Sequence, residues 1–401
     1  MRMKRTAVVL LVALSFSIGA VGIVQAADSD WEKSLEAAES ALLKGDNEHI
    51  DENIEKAMSQ AADDDTTRAT IENQLGVIRM HQHRYVDAHQ AFHRALDLRL
   101  KTVGPGDATT LQTESNLALA EVKLGHEKEA EELYRKTIDG KRKVNPTSPS
   151  LAVSLTNLGN LYAQEKRCKE AKTLYLEALG IDSTEYGASH KEVAQDLFNV
   201  GALLYQCNSY LEALGYLERA RKTYESLSDD LGKAKALHYI ALCYSDMHQH
   251  AKAAEAALAA LQTHQHFKGV GENDTLVHLL NAADSVDAMG DSAKAENLYR
   301  EALTKADAAK EPSNYAIAEC NLEMGEYFFR HNDRDKAEQF YKTALVHYEE
   351  LGKKERRQLY ELPQAYVKLL QDAHRDEEAD ALSAKYVDVF LPTTAVKQDA
   401  P

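Results

Sequence analysis

Cysteine is scarce, four in 401 residues, and no paired CxxC occurs, which argues against a disulfide-built scaffold and against a thiolate zinc site. Proline is also rare at seven residues, so long helices can run without interruption. Basic side chains are outnumbered, 47 against 64 acidic, and the formal net charge is −17. That balance argues against nucleic acid and anionic membrane as main partners, because phosphate-rich surfaces need a basic face. Neither an HExxH motif nor a serine or cysteine nucleophile with a recognisable local signature appears, so no catalytic role is expected. What the chain has in quantity is apolar residues, 44%, enough to bury a large core.

The first 26 residues stand apart. Arg2, Lys4 and Arg5 precede an apolar stretch from Ala7 to Val24, and small residues at Val24 and Ala26 mark a cleavage site after Ala26. This reads as a secretory signal peptide over 1–26; the alternative is an uncleaved anchor, which Ser15, Ser17, Gly19 and Gly22 dilute. Its removal takes away three positive charges and no negative ones, leaving a mature charge of −20. No later apolar run reaches membrane length. The expected location is therefore exported, periplasmic or secreted.

The remainder repeats. Ala88, Ala130, Ala171, Ala213, Ala253, Ala295, Ala337 and Ala379 follow one another at steps of 40 to 42 residues. Twelve residues before each alanine stand Gly76, Ala118, Gly159, Gly201, Ala241, Ala283, Gly325 and, as the exception, Val367. Four residues after the alanine an aromatic recurs, as Phe92, Tyr134, Tyr175, Tyr299 and Tyr341, and a second alanine follows, as Ala95, Ala178, Ala220, Ala260, Ala302 and Ala344. Apolar stripes at spacings of three and four, such as Leu151, Leu155, Leu158 and Tyr162, then Ala171, Leu174, Tyr175 and Ala178, make each unit two helices. Between the stripes lie His83, Gly125, Lys166, Asn208, His248, Gly290, Asn332 and His374. Glycine, asparagine and histidine tolerate positive φ best, so this slot is expected to be the left-handed residue that ends each first helix.

Ahead of the array, Trp31, Leu35, Ala38 and Leu42 form one stripe, Gly45 stops it, and Ile50, Ile54, Ala57 and Met58 form its partner, a degenerate capping hairpin over 27–66. The repeat array spans 67–390, its last unit serving as the opposite cap, and the tail 391–401 lacks periodicity and is expected to be disordered. The fold class is thus all-α, an α-solenoid (superhelix) of about eight helical hairpins.

A small residue, an alanine twelve later, an aromatic at sixteen and an alanine at nineteen together resemble the tetratricopeptide repeat. The period exceeds that repeat's usual length of about 34. It is similar to the longer variant of kinesin light chains, as in NLGNLYAQEKRCKEAKTLYLEAL over 157–179. The resemblance implies a non-catalytic scaffold without cofactor that binds a protein or peptide, with no nucleic acid partner. Given the acidity, that partner is expected to be neutral or basic.

In such arrays the first helix of each hairpin lines the concave groove. Fourteen residues before each alanine come Gln74, Asn116, Asn157, Asn199, Tyr239, Asn281, Glu323 and Ala365. Asparagine is a mediocre helix former, and its side chain offers both donor and acceptor, so Asn116, Asn157, Asn199 and Asn281, with Asn160 nearby, could hold the backbone of an extended peptide. The resemblance supports this, since similar asparagine ladders hold peptides in kinesin light chains and in O-linked N-acetylglucosamine transferase. The alternative is that these asparagines bond to the preceding hairpin and fix the joint between units. Phe198, Tyr205, Leu280 and Phe329 would add apolar pockets, although apolar residues at this spacing more often belong to the core.

Three further readings complete the set. His81, His83, His89 and His93 could gather around a metal, with His89 and His93 one turn apart, but His83 occupies the turn slot and no metal is expected. Cys243 and Cys320 read as core residues, and Cys168 and Cys207, near the turns of adjacent units, are expected to be free thiols because spacing does not establish disulfide geometry. Self-association through the acidic outer face or the caps is the structural alternative to a binding scaffold.

Overall fold

The computed structural model describes residues 29–386 apart from 62, 266–271 and 310–311. The leader 1–26 and the tail 391–401 lie outside the described residues. Among those described every regular element is an α-helix. The chain divides into two compact units between Ser209 and Tyr210.

The first unit holds α1 (Asp30–Lys44), α2 (Asn47–Gln60), α3 (Asp65–His81), α4 (Tyr85–Thr102), α5 (Ala108–Leu124), α6 (Glu127–Val144), α7 (Pro149–Gln164), α8 (Cys168–Tyr186) and α9 (Lys191–Gln206). Ser29 and Glu32 form a capping box at the start of α1, and Gly45, at φ 71°, ends it. Leu35, Ala38, Ile50, Ile54 and Ala57 close the hairpin between α1 and α2 and join Ile71 and Ile78 of α3 in one apolar cluster.

The second unit holds α10 (Tyr210–Ser226), α11 (Asp230–Asp246), α12 (His250–Gln265), α13 (Glu272–Met289), α14 (Ser292–Asp307), α15 (Asn314–Arg330), α16 (Arg334–Glu349), α17 (Lys353–Gln358), α18 (Glu361–Asp372) and α19 (Asp376–Lys385). In both units neighbours in sequence pack as antiparallel hairpins, so the all-α repeat architecture expected from the period is the one formed.

The turn slot behaves as its residue types require. His83, Lys166, Asn208, His248, Asn332 and His374 have φ between 58° and 62°, and Gly125 and Gly290 are also left-handed. Each turn closes with the same two bonds: at Gly125 its N–H donates to the Val122 carbonyl at 3.1 Å, and the next N–H, of His126, donates to the Glu121 carbonyl at 2.9 Å. All eight marker alanines are buried, and the small residues sit where the aromatics press. A Cβ on Gly159 would lie 2.6 Å from the Tyr175 ring, and one on Gly325 would lie 2.5 Å from Tyr341, so the helices can cross this closely only through glycine.

One recurrent position changes its chemistry from each hairpin to the next. Eleven residues after the first seven marker alanines stand Arg99, Lys141, Asp182, Tyr224, His264, Ala306 and Tyr348, all buried. Each lies on a second helix, where the chain passes to the next hairpin. Arg99 donates to the Thr109 carbonyl and the Thr113 hydroxyl. Lys141 Nζ donates to Gln112 Oε1 at 3.2 Å, the Ser150 carbonyl at 3.0 Å and Ser154 Oγ at 2.9 Å. Asp182 lies beside Asp196, and each carboxyl has a buried oxygen without a hydrogen-bond partner. The Tyr224 ring fills the place a Cβ on Gly232 would take, and His264 packs on His278 with ring centroids 4.7 Å apart.

Cys168 and Cys207 are joined by a disulfide, Cα to Cα 6.2 Å across 39 residues. This corrects the expectation of free thiols. Cys168 opens α8 and Cys207 follows the last residue of α9, so the turns of successive hairpins bring the two sulfurs together although they occupy different slots of the period. Cys243 and Cys320 are free and buried, as expected of core residues.

Candidate functional site

The asparagine slot falls on first helices, where polar side chains are buried alongside apolar ones. In the first unit Asn116, Asn157 and Asn199 are each exposed by no more than 2%, and Asn160 not at all. Asn116 Nδ2 donates to Asn73 Oδ1 of the preceding hairpin at 3.2 Å, and Asn116 Oδ1 accepts from Gln112 Nε2 one turn earlier at 3.2 Å. Asn199 Oδ1 likewise accepts from Gln195 Nε2 at 2.9 Å, so a glutamine one turn before the asparagine supports it in two hairpins. In the second unit the half-buried Asn281 donates from Nδ2 to the Val277 carbonyl at 2.8 Å, and the same nitrogen is 3.2 Å from His238 Nδ1. Asn116 to Asn73 and Asn281 to His238 are the same bond one slot apart, spanning 43 residues each time. These contacts are those of the joint-fixing role.

Asn160 has a separate task. Its Oδ1 accepts from the Tyr175 hydroxyl at 2.5 Å, a bond that Asp284 makes to Tyr299 and Glu326 makes to Tyr341 at the same separation of 15 residues. In these three hairpins the tyrosine that fills the small-residue crossing has a polar end to satisfy, and the residue after the small one supplies the acceptor. Asn160 Nδ2 is buried without a hydrogen-bond partner. On the same face, one turn before Gln74, Asn157 and Asn199, the residues Thr70, Val153 and Gln195 are half-buried, while Phe198 and Leu280 are buried as core and Tyr205 and Phe329 stay half-buried.

The histidine cluster comes together differently from its sequence reading. His81 is exposed, and His83 sits in the turn slot with Nδ1 2.8 Å from the Tyr85 hydroxyl. His89 and His93 do share a face of α4, with ring centroids 4.5 Å apart. Their third member is Glu121 of α5, and one ligand atom from each of the three lies within 4.8 Å of the others. Glu121 Oε1 is 2.9 Å from His89 Nε2, and Oε2 is 2.7 Å from His126 Nδ1. Burial alone would raise the Glu121 carboxyl, but hydrogen bonds from His126 and His89 outweigh it and hold it below its ordinary range. Glu121 escaped sequence reasoning because it lies 28 residues beyond His93, and only the pairing of α4 with α5 makes them neighbours.

A tetratricopeptide-repeat family model matches residues 67–143 and 150–226. These segments are tetratricopeptide repeats. No curated protein matches the chain in sequence. Among solved structures the chain is similar to the apo form of RapI, at 14% identity over 90% of this chain and 96% of that one, with a TM-score of 0.65. It is also similar to the apo form of the quorum sensor NprR from B. thuringiensis, at 15% identity over 90% and 99%, with a TM-score of 0.62. A third likeness is to a Rap protein complexed with Competence and Sporulation Factor, at 12% identity over 90% and 98%, with a TM-score of 0.53. At such identities the likeness is one of fold. Arrays of tetratricopeptide hairpins are protein-interaction scaffolds, and this chain has that architecture.

Proposed function

We propose that this protein is a non-catalytic binding scaffold of an exported compartment that holds an extended peptide or protein segment against the first helices of its tetratricopeptide hairpins. The observation that carries the reading is the row of polar side chains on those helices. Gln74, Asn116, Asn157 and Asn199 stand at one slot in successive hairpins, and the half-buried Thr70 and Gln195 flank it one turn earlier, so a peptide laid along these helices would meet polar side chains whatever its sequence. Support for a peptide or protein partner comes from the Rap protein complexed with Competence and Sporulation Factor and from the quorum sensor NprR, which share the fold. The acidic composition favours neutral or basic segments. Support for export comes from the leader over 1–26 and from the Cys168–Cys207 disulfide, a bond that persists in oxidising compartments.

A peptide library read against the wild type and against a variant carrying Asn→Ala at 116, 157, 199 and 281 tests the site. The expected result is an affinity loss of about tenfold or more, the weight of one to two backbone hydrogen bonds, at unchanged helix content. Unchanged affinity removes the asparagines from the binding face and leaves them the joint role, which a lower melting temperature reports separately. Absence of any bound peptide in the wild type rejects peptide capture. For the compartment, chain recovered from the exported fraction should show two reactive thiols of its four after denaturation; four would reject the oxidising location.

A further inference from the structure

We propose that His89, His93 and Glu121 form a zinc site that ties α4 to α5, and with them two successive hairpins. The argument begins with spacing. His89 and His93, one helical turn apart, present two imidazoles on one face of α4, and the neighbouring α5 brings a carboxylate up to them. Two imidazole nitrogens and a carboxylate oxygen are a donor set suited to zinc, and hard cations such as calcium and magnesium prefer oxygen ligands throughout. The candidate ligand atoms lie within 4.8 Å of one another. Ligands of a tetrahedral zinc stand about 3.3 Å apart, so contraction by side-chain rotation alone is enough.

The site is also placed for access and for support. His93 is exposed and His89 half-buried, so an ion can enter from solvent, while Glu121 is held at 9% exposure by the packing of α5. His126 contacts the second oxygen of Glu121 at 2.7 Å, which orients the carboxylate in the way outer partners orient metal ligands. Three protein ligands leave one tetrahedral position open for water or for a side chain of a bound partner. Binding would also carry a mechanical consequence: α4 belongs to one hairpin and α5 to the next, so the ion would add to a joint already held by packing, by Arg99 and by the Asn116–Asn73 bond.

Calorimetric titration of the full chain with zinc chloride near neutral pH tests the proposal. One zinc per chain at low-micromolar affinity or tighter is expected, with His89→Ala and His93→Ala each weakening it by about tenfold or more, while His81→Ala leaves it unchanged. Calcium and magnesium should not compete. Because His93 is exposed, His93→Ala keeps the fold, and helix content measured beside the titration verifies this. Zinc binding only at millimolar concentration, or binding that survives both histidine replacements, overturns the site.

Discussion

Asp182 and Asp196 are neighbouring buried carboxyls that hold a proton more tightly than free aspartates do. Burial pushes both above the ordinary aspartate range, and for Asp196 the charge of Asp182 adds to the effect. Because the folded chain binds a proton here more tightly than the unfolded one, the stability from this pair is present at low pH and is lost as pH rises above about 4 towards and past neutrality. Asp196→Asn copies the protonated form. It should raise stability at pH 8 by about 2 kcal/mol and have little effect at pH 4, as read by urea unfolding at the two pH values. If the variant loses stability equally at both, the carboxyls are not sharing a proton. Lys141, at the corresponding place one hairpin earlier, is pushed down to about 7 by burial and has oxygen acceptors on three sides. His238 completes the residue picture. Asn281 can only donate from Nδ2, so His238 Nδ1 accepts, which a neutral ring alone can do.

At the scale of the hairpin, what could be read in the sequence is what recurs. The marker alanines, the small residues and their aromatics, and all eight left-handed turn residues were visible because each appears in several units at one spacing, and each has the expected role in the structure. Features that change from unit to unit were not visible. The buried slot that holds Arg99, Lys141, Asp182 and His264 shows no common chemistry, so no pattern draws attention to it until the helices are packed. Cys168 and Cys207 fall in different slots, and Asn160 could not be assigned to Tyr175 without knowing that an aromatic at the crossing needs an acceptor. The asparagine slot was legible as a pattern, and the bonds of Asn116 and Asn281 to the preceding hairpin were one of its two readings. The disulfide supplies a test at this scale. Replacing both cysteines by serine opens a loop of 39 residues and should cost about 3–4 kcal/mol on a chain-entropy basis, measured by denaturant unfolding of the double variant beside the wild type. A loss below about 1 kcal/mol would mean that the closed loop is already ordered when the chain unfolds.

For the whole molecule, the two units respond to pH through different groups. In the second unit burial holds His238 down to about 4 and His278 down to about 2, the latter with help from His238 and His264. Their folded values lie below the unfolded histidine value of about 6.5, so the stability they contribute is present above that value and is lost as pH falls through the folded value. Acidification from pH 7 to pH 4 should therefore remove roughly 3 kcal/mol through His238 alone. His238→Asn keeps an acceptor for Asn281 in the way Asn73 does for Asn116, and it should flatten the acid limb of a melting-temperature profile. An acid limb unchanged in the variant would place the sensitivity elsewhere.

All eight hairpins share the alanines and the turn, so those features cannot say which hairpin follows which. The slot at the joints can. A hairpin moved along the chain would set Lys141 against a histidine, or Asp182 against Ser154, in a place closed to water. The order of otherwise interchangeable parts is therefore written where they meet, as a set of unlike locks, and a repeat copied or deleted as a block would carry the wrong key into its new neighbour.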